Sequence, residues 1–175
     1  VDAGATVLAP PLPLGDLGSM AVLADPAGAV VGLWQGREHV GFTRHGEPGT
    51  VVWDEVHSKS FGASRDFYAA VFGWRYEVTG DSDDFRYLTV KVDGTEVAGL
   101  MDSARFLPDQ VPSHWAVYLG VADADAGERT AVEHGATVLM SAQDTPFGRI
   151  ADLLDPTGAP FKLHSSTLKN PPPAE

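Results

Sequence analysis

Cysteine is absent from this chain of 175 residues, which excludes a disulfide framework, a thiolate metal site and a cysteine nucleophile. Basic residues are scarce, because 12 Lys and Arg stand against 24 Asp and Glu and no Lys/Arg-rich segment occurs. The electrostatic attraction that drives binding to nucleic acid or to an anionic membrane is therefore missing. No apolar run approaches the roughly 20 residues that span a bilayer, and no signal segment is recognisable. We expect a cytoplasmic protein without nucleic-acid or membrane partners.

A strand with two different faces is predicted from Val51 to Ser58. Its alternation places Val52 and Val56 on an apolar face, and Trp53, Glu55 and His57 on the opposite face. We expect the helix that follows to cover the apolar face, which leaves the other three side chains facing a cleft.

The helix that follows this strand has a recognisable start and end. Ser60 can cap its first turn, and Gly73 stands where a left-handed C-terminal cap is wanted. Ala63, Phe67 and Ala70/Val71 recur at helical spacing, so the sequence predicts that these residues form the buried face.

A long internal repeat relates the beginning of the chain to its end. GATVL occurs at residues 4–8 and again at 135–139, and LADPAGA at 23–29 matches LLDPTGA at 153–159. Residues 1–35 therefore repeat only the last three strands of a larger unit. Their sheet has an open edge, so we expect either about 90 further residues upstream, by the repeat spacing, or a homodimer that completes the sheet.

A shorter repeat divides the later part of the chain. Trp53 and Trp115, Gly73 and Gly135, and Asp93 and Asp155 are each 62 residues apart. Each copy reads strand, helix, then three strands, and in the second copy the strand is predicted from His114 and the helix from Ala124. The predicted organisation is half of an incomplete module at 1–35, a linker at 36–49, a complete module at 50–165 with units at 50–102 and 113–165, and a flexible tail at 166–175.

Three strings in these repeats, SRDFYAAVFGW, VADADAGERTAVEHGATVL and DPTGAPFKL, resemble the vicinal oxygen chelate superfamily. That superfamily includes glyoxalase I, bleomycin-resistance proteins and extradiol dioxygenases. The narrower resemblance is to two-module actinobacterial members labelled hydroxylases or glyoxalase-like proteins. The resemblance implies an α+β fold in which paired βαβββ units form an open, incomplete barrel. It does not fix the function, because one scaffold serves isomerases, oxygenases and binding proteins.

The resemblance also implies where a divalent metal would bind, at the first and last strands of each unit. The ligand positions fall on Trp53, Trp115, Lys162 and either Ala98 or Gly99, none of which is a metal ligand. We therefore expect no metal cofactor. The rival interpretation is a displaced metal site, for which the available ligands are Glu55, His57, Glu96 and His164.

The candidate site combines two tryptophans with a polar pair. Trp53 and Trp115 are either large core aromatics or two walls of a ligand cleft, and we favour the cleft. Glu55 and His57 are either rim residues or a polar anchor and acid/base pair. The other histidines are less eligible, and His114 is expected to point away from the face of Trp115. The remaining expected ligand contacts are Val117, Lys162 and His164.

The favoured function is a metal-free protein that binds a small organic molecule, aromatic or cationic, in this cleft. The alternative is a lyase, isomerase or hydroxylase/dioxygenase of the same superfamily, with Glu55 and His57 as catalytic residues or with the displaced metal. A third interpretation is an interaction or scaffold role.

Overall fold

The computed structural model describes residues 2–166, so the predicted tail lies outside the described residues except for Ser166. Within this range the chain forms eleven strands and two helices. The elements are β1 Thr6–Pro13, β2 Gly18–Ala24, β3 Val30–Gly36, β4 Val51–Ser58, α1 Phe61–Phe72, β5 Arg75–Asp81, β6 Arg86–Val92, β7 Thr95–Asp102, β8 His114–Gly120, α2 Ala124–Glu133, β9 Thr137–Thr145, β10 Gly148–Leu154 and β11 Pro160–Ser165. Among the described residues, no helix combines the length and the apolar character needed to cross a membrane.

The described part of the chain folds into two compact units, and the predicted modules stay a prediction. Unit 1 contains the residues up to Phe42 together with Glu55–Trp115, and unit 2 contains Thr43–Asp54 and the residues from Ala116 onward. The chain passes from one unit to the other inside β4 and again inside β8. The N-terminal strands therefore belong to the same compact unit as the first βαβββ repeat.

Unit 1 places α1 against two sheets. Strands β1, β2 and β3 form an antiparallel sheet, whereas the other sheet has the order β5-β6-β7-β4 with β4 parallel to β7. Phe67 and Tyr68 of α1 are buried in one cluster with Ala29 from the N-terminal segment and with Val56 and Leu100 from the second sheet. Val52, in contrast, packs against a cluster of unit 2, as Trp53 does.

The end of α1 is as predicted, and so is the burial of Phe67, but the other residues of its buried face are not those predicted. Gly73 has φ 68° and ψ 22°, in the left-handed region, and its N–H donates to the Ala69 carbonyl. Ser60 occupies the N-cap position without a side-chain capping bond. The buried face is formed by Ser64, Phe67 and Tyr68 rather than by the alanines and Val71, because large aromatic rings exclude more water from the core than methyl groups do.

The long repeat is visible in the turns that close two hairpins. In β2–β3, the N–H of Asp25 donates to the Ala29 carbonyl while its Oδ1 accepts from the Ala29 N–H; Asp155 and Ala159 repeat both bonds between β10 and β11. The two turns differ in burial. Asp25 is 4% exposed and its Oδ2 also accepts from the Ser64 hydroxyl at 2.9 Å, which attaches the N-terminal hairpin to α1.

Unit 2 repeats this arrangement around α2. Its sheet has the order β8-β11-β10-β9, with β8 parallel to β11 and the other pairs antiparallel. Asp123 caps α2, since its side chain accepts from the Ala126 N–H at 2.9 Å. Ala151, Leu153 and Leu163 form the buried cluster against which Ala131 of α2 and its neighbours pack. The observed sheets are open and mixed, and each unit contributes one helix, so the predicted fold class is confirmed.

Candidate functional site

A buried carboxylate and imidazole lie side by side on β4 in unit 1. Glu55 is 4% exposed and His57 is 9% exposed, and Glu55 Oε1 lies 2.7 Å from His57 Nε2. Strand alternation places both on the face opposite to Val56, which packs against α1. The two side chains converge as the sequence suggested.

Tyr87 on β6 holds the second oxygen of this carboxylate. Its hydroxyl donates to Glu55 Oε2 at 2.8 Å, and its ring stacks on Phe85 with centroids 5.7 Å apart. Gly99 lies between them on β7, in register with Glu55. A Cβ at Gly99 would lie 2.5 Å from Tyr87 Cζ and 3.0 Å from Glu55 Cβ, so only glycine leaves room for this bond. The structure thereby selects Gly99 over Ala98, which is buried at 5% exposure on the other face of β7.

His114 at the start of β8 completes the polar group. Its ring stacks on that of His57 with a centroid distance of 5.1 Å and an interplanar angle of 28°. His114 Nδ1 lies 2.9 Å from the carbonyl of Pro112, so Nδ1 carries the proton in this contact, because a carbonyl only accepts. Sequence reasoning missed both His114 and Tyr87. Tyr87 and Thr89 are two residues apart on β6 and so lie on one face, and Thr89 pairs with Gly99. This spacing could have indicated that Tyr87 shares the face of Gly99.

Trp115 does not form a wall of a cleft beside Glu55. Its Nε1 donates to the Tyr68 hydroxyl at 2.9 Å, and its ring meets Trp74 edge to face in the cluster around α1. It therefore lies on the helix side of the sheet. Val117 has the same parity on β8 as Leu119, which packs in the cluster around α2. The predicted face of Trp115 was therefore wrong, whereas the ligand contacts of Trp115 and Val117 stay predictions.

The cause of this error is a difference of one residue between the two repeats. The N-caps of α1 and α2, Ser60 and Asp123, are 63 residues apart rather than 62. The same offset relates the pair Glu55↔Gly99 to the pair Tyr118↔Lys162. A slip of one residue along a strand moves a side chain to the opposite face, which is why His114, and not Trp115, faces away from the helix.

The remaining predicted contacts lie in unit 2. Lys162 Nζ is 2.7 Å from Asp152 Oδ2 and 5.6 Å from the centroid of the Tyr118 ring, and His164 Nε2 is 2.7 Å from the Phe147 carbonyl. Trp53 packs, partly buried, against the cluster that includes Tyr118. Phe161 and Leu163 lie on the helix side, in the cluster with Ala131 of α2. The ligand contacts of Trp53, Lys162 and His164 stay predictions.

The side chains do not fit the metal that the superfamily resemblance implies. Lys162 is ion-paired with Asp152, and the Gly99 position is covered by the Tyr87 ring. In residues 2–166 no group of three or more His, Cys, Asp or Glu side chains is arranged to hold a metal ion. Glu96 from the rival ligand set instead lies near Lys91, at 57% side-chain exposure.

Burial changes the proton affinity of three groups near β4 and α1. It raises the pKa of Tyr68 well above the ordinary value, and it raises the pKa of Tyr76 to about 12. The Tyr68 hydroxyl therefore keeps its proton while it accepts from Trp115. Burial also raises the pKa of Asp54, which sits in unit 2 next to the point where β4 changes unit.

Comparisons with known proteins agree with this architecture. The family model of the glyoxalase-like domain matches residues 50–164. A protein of Mycobacterium tuberculosis named putative glyoxylase CFP32 is 38% identical over 164 residues, covering 93% of this chain and 62% of that protein. The anthracycline biosynthesis protein DnrV of Streptomyces peucetius is 41% identical over 165 residues, covering 92% of this chain and 58% of that protein. The chain thus spans about three-fifths of the length of these relatives.

Two solved structures share the fold at low sequence identity. The Mn(II)-bound glyoxalase from Novosphingobium aromaticivorans has a TM-score of 0.59 at 16% identity, covering 94% of this chain and 56% of its own. The 2,3-dioxygenase LapB from Pseudomonas sp. KL28 also has a TM-score of 0.59, at 14% identity, covering 98% of this chain and 66% of its own.

Proposed function

Because this chain belongs to the glyoxalase-like family of the vicinal oxygen chelate superfamily, we propose that it binds a small planar organic molecule without a metal. The binding site is the face of unit 1 that carries Glu55, His57, His114 and Tyr87. The observation that supports this function most strongly is the buried Glu55–His57 pair, whose Oε1 and Nε2 lie 2.7 Å apart.

The pair is suited to binding because it is ordered before a ligand arrives. A buried carboxylate is costly unless it is hydrogen-bonded, and Tyr87 and His57 each supply one partner to Glu55. A site whose polar groups are already fixed loses less entropy on binding than a site that must order them. The rings of His57 and His114 stack on each other beside these polar atoms.

The relatives support a planar ligand. DnrV is named for anthracycline biosynthesis, and anthracyclines contain fused flat rings. Such rings bind to aromatic side chains by stacking, which contributes about 0.5–1.5 kcal/mol per pair beyond the buried area. In unit 2, we propose that Trp53, Lys162 and His164 contact ligands of the same planar class.

A second candidate function is proton transfer by the Glu55–His57 pair. One specific observation favours it: Glu55 orients the His57 ring through Nε2, in the way that a carboxylate orients a general base. The reaction would then be removal of a proton from a bound substrate by His57, with no metal in the step. Lyase and isomerase reactions both begin with such a step.

Metal analysis and ligand titration test the proposal together. The protein is purified without chelator, and its content of Mn, Fe, Ni and Zn is measured, with the melting temperature recorded before and after each divalent ion is added. We expect well below one equivalent of metal and no rise in melting temperature, since only a ligand of the native state stabilises it. Stoichiometric metal whose removal lowers the melting temperature would refute the proposal.

The same samples separate the two candidate functions. Planar aromatic compounds are titrated against tryptophan emission and then recovered and analysed by mass spectrometry. Recovery of unchanged compound supports binding. Conversion that is lost in Glu55→Gln and His57→Gln supports proton transfer.

A further inference from the structure

We infer that the ligand of the unit 1 site carries a weakly acidic hydroxyl on a planar ring, a phenol or an enol, and that this hydroxyl donates its hydrogen to His57 Nδ1. This inference rests on the proposed function and goes further in naming the chemical class of the ligand and the atom that recognises it. It also replaces Glu55 by His57 as the group that contacts the ligand.

Glu55 is already bound by the protein itself. Its Oε1 is held by His57 at 2.7 Å and its Oε2 by the Tyr87 hydroxyl at 2.8 Å. At 4% exposure, the carboxylate has almost no surface to offer a ligand. Glu55 therefore acts on the ligand through His57.

The bond to Glu55 determines which proton His57 carries. An ionised carboxylate only accepts hydrogen bonds, so His57 Nε2 must be the protonated nitrogen in this contact. In the neutral ring, Nδ1 then carries the lone pair. Within the part of the chain that the structure describes, the hydrogen bond of His57 uses Nε2, and its other contact is the ring stack on His114. Nδ1 is thus the acceptor that the site presents.

The acceptor and the stack together select the ligand. A carboxylate bound to one imidazole nitrogen makes the other nitrogen a stronger acceptor, because hydrogen-bonded chains polarise one another. An acidic hydroxyl is the donor that matches it, and the ring that bears the hydroxyl can lie parallel to the imidazoles. A methyl ether of the same ring keeps the stacking surface but has no hydrogen to donate.

Three naphthalene probes test this inference: 2-naphthol, 2-methoxynaphthalene and the cation of 2-(aminomethyl)naphthalene. Each is titrated at neutral pH into the wild-type protein, and binding is followed by calorimetry. We expect 2-naphthol to bind about tenfold more tightly than 2-methoxynaphthalene, which is the effect of one well-formed hydrogen bond, and more tightly than the cation. Equal binding of naphthol and ether, or tighter binding of the cation, would overturn the inference.

Variants locate the effect at His57. His57→Phe keeps a flat ring against His114 but removes the acceptor. The naphthol and the ether should therefore bind this variant about equally. His45→Phe, at an exposed position of the linker, is the matched control and should keep the tenfold preference. A preference retained in His57→Phe would place the acceptor elsewhere and refute the inference.

A measurement on the wild-type protein keeps the inference testable if His57→Phe does not fold. Nitrogen-15 NMR of the imidazoles distinguishes protonated from unprotonated ring nitrogens. We expect an unprotonated Nδ1 in His57 whose resonance moves when 2-naphthol is added and stays in place when the ether is added. A protonated Nδ1 in the neutral ring would contradict the assignment.

These outcomes also separate the inference from the proposed function. If the naphthol and the ether bind equally and without metal, the proposed function stands and the hydroxyl inference fails. If neither binds and the protein carries stoichiometric metal, both fail.

Discussion

Gly99→Ala tests whether the geometry around Glu55 depends on one missing side chain. The added Cβ would lie 2.5 Å from Tyr87 Cζ, still closer to the hydroxyl oxygen, and 3.0 Å from Glu55 Cβ. Carbon atoms in contact are normally about 3.5–4.0 Å apart, so the tyrosine ring must move by more than an ångström. That movement breaks the 2.8 Å bond between Tyr87 and Glu55.

The expected cost follows from two contributions. Loss of a buried hydrogen bond to a charged group costs about 1.5–3 kcal/mol, and overpacking costs about 1–3 kcal/mol. We therefore expect Gly99→Ala to lower the free energy of unfolding by about 3–5 kcal/mol. Gly32→Ala on β3 is the matched control, because no atom lies within 4 Å of its added Cβ. Removing a strand glycine there should be neutral or stabilise by up to about 1 kcal/mol.

Urea unfolding followed by tryptophan emission measures both variants. Gly99→Ala is also measured in a Tyr87→Phe background, in which the hydroxyl and its bond to Glu55 are already absent. Gly99→Ala should then cost at least about 1 kcal/mol less in the Tyr87→Phe background than in the wild type. The reasoning is refuted if Gly99→Ala behaves like Gly32→Ala, or if its cost is the same in both backgrounds.

Three further predictions concern other parts of the two units. Burial raises the pKa of Asp54 above its ordinary value of 3.8, so ionisation of Asp54 destabilises the fold as the pH rises through the folded-state value. Asp54→Asn should therefore raise the melting temperature at pH 7 and lose this advantage below pH 3.8. An equal rise at both pH values would contradict this. Asp25→Asn should cost about 2 kcal/mol in urea unfolding, and Asp155→Asn less, because only the first carboxylate is buried and bound to α1; equal costs would show that the turn alone matters. Trp115→Phe removes the hydrogen bond to Tyr68 and should lower the free energy of unfolding by about 1–2 kcal/mol. It should leave 2-naphthol binding unchanged, so a loss of probe affinity in calorimetry would show that Trp115 contributes to the binding site.

Local sequence signals were sufficient to predict the strands, the helices and the repeats. The bounds of β4 were predicted from alternation alone, and the left-handed cap at Gly73 from residue type. The offset of about 130 residues predicted the turn geometry that Asp25 and Asp155 share. These features depend on neighbours a few residues apart, which the sequence displays directly. What covers the outer edge of β3, an upstream segment or a second copy, stays a prediction.

The composition of the site depended on contacts that the sequence does not display. Alternation correctly paired Glu55 with His57, but an offset of 62 instead of 63 placed Trp115 on the wrong face and dismissed His114. Because side chains alternate along a strand, an error of one residue reverses every assignment on it. Tyr87 lies 32 residues from Glu55 and reaches it only because β6, β7 and β4 are neighbours in the sheet and Gly99 leaves the space. The sequence by itself determined which elements form; the pairing of strands, which only the tertiary structure decides, determined which side chains meet at Glu55.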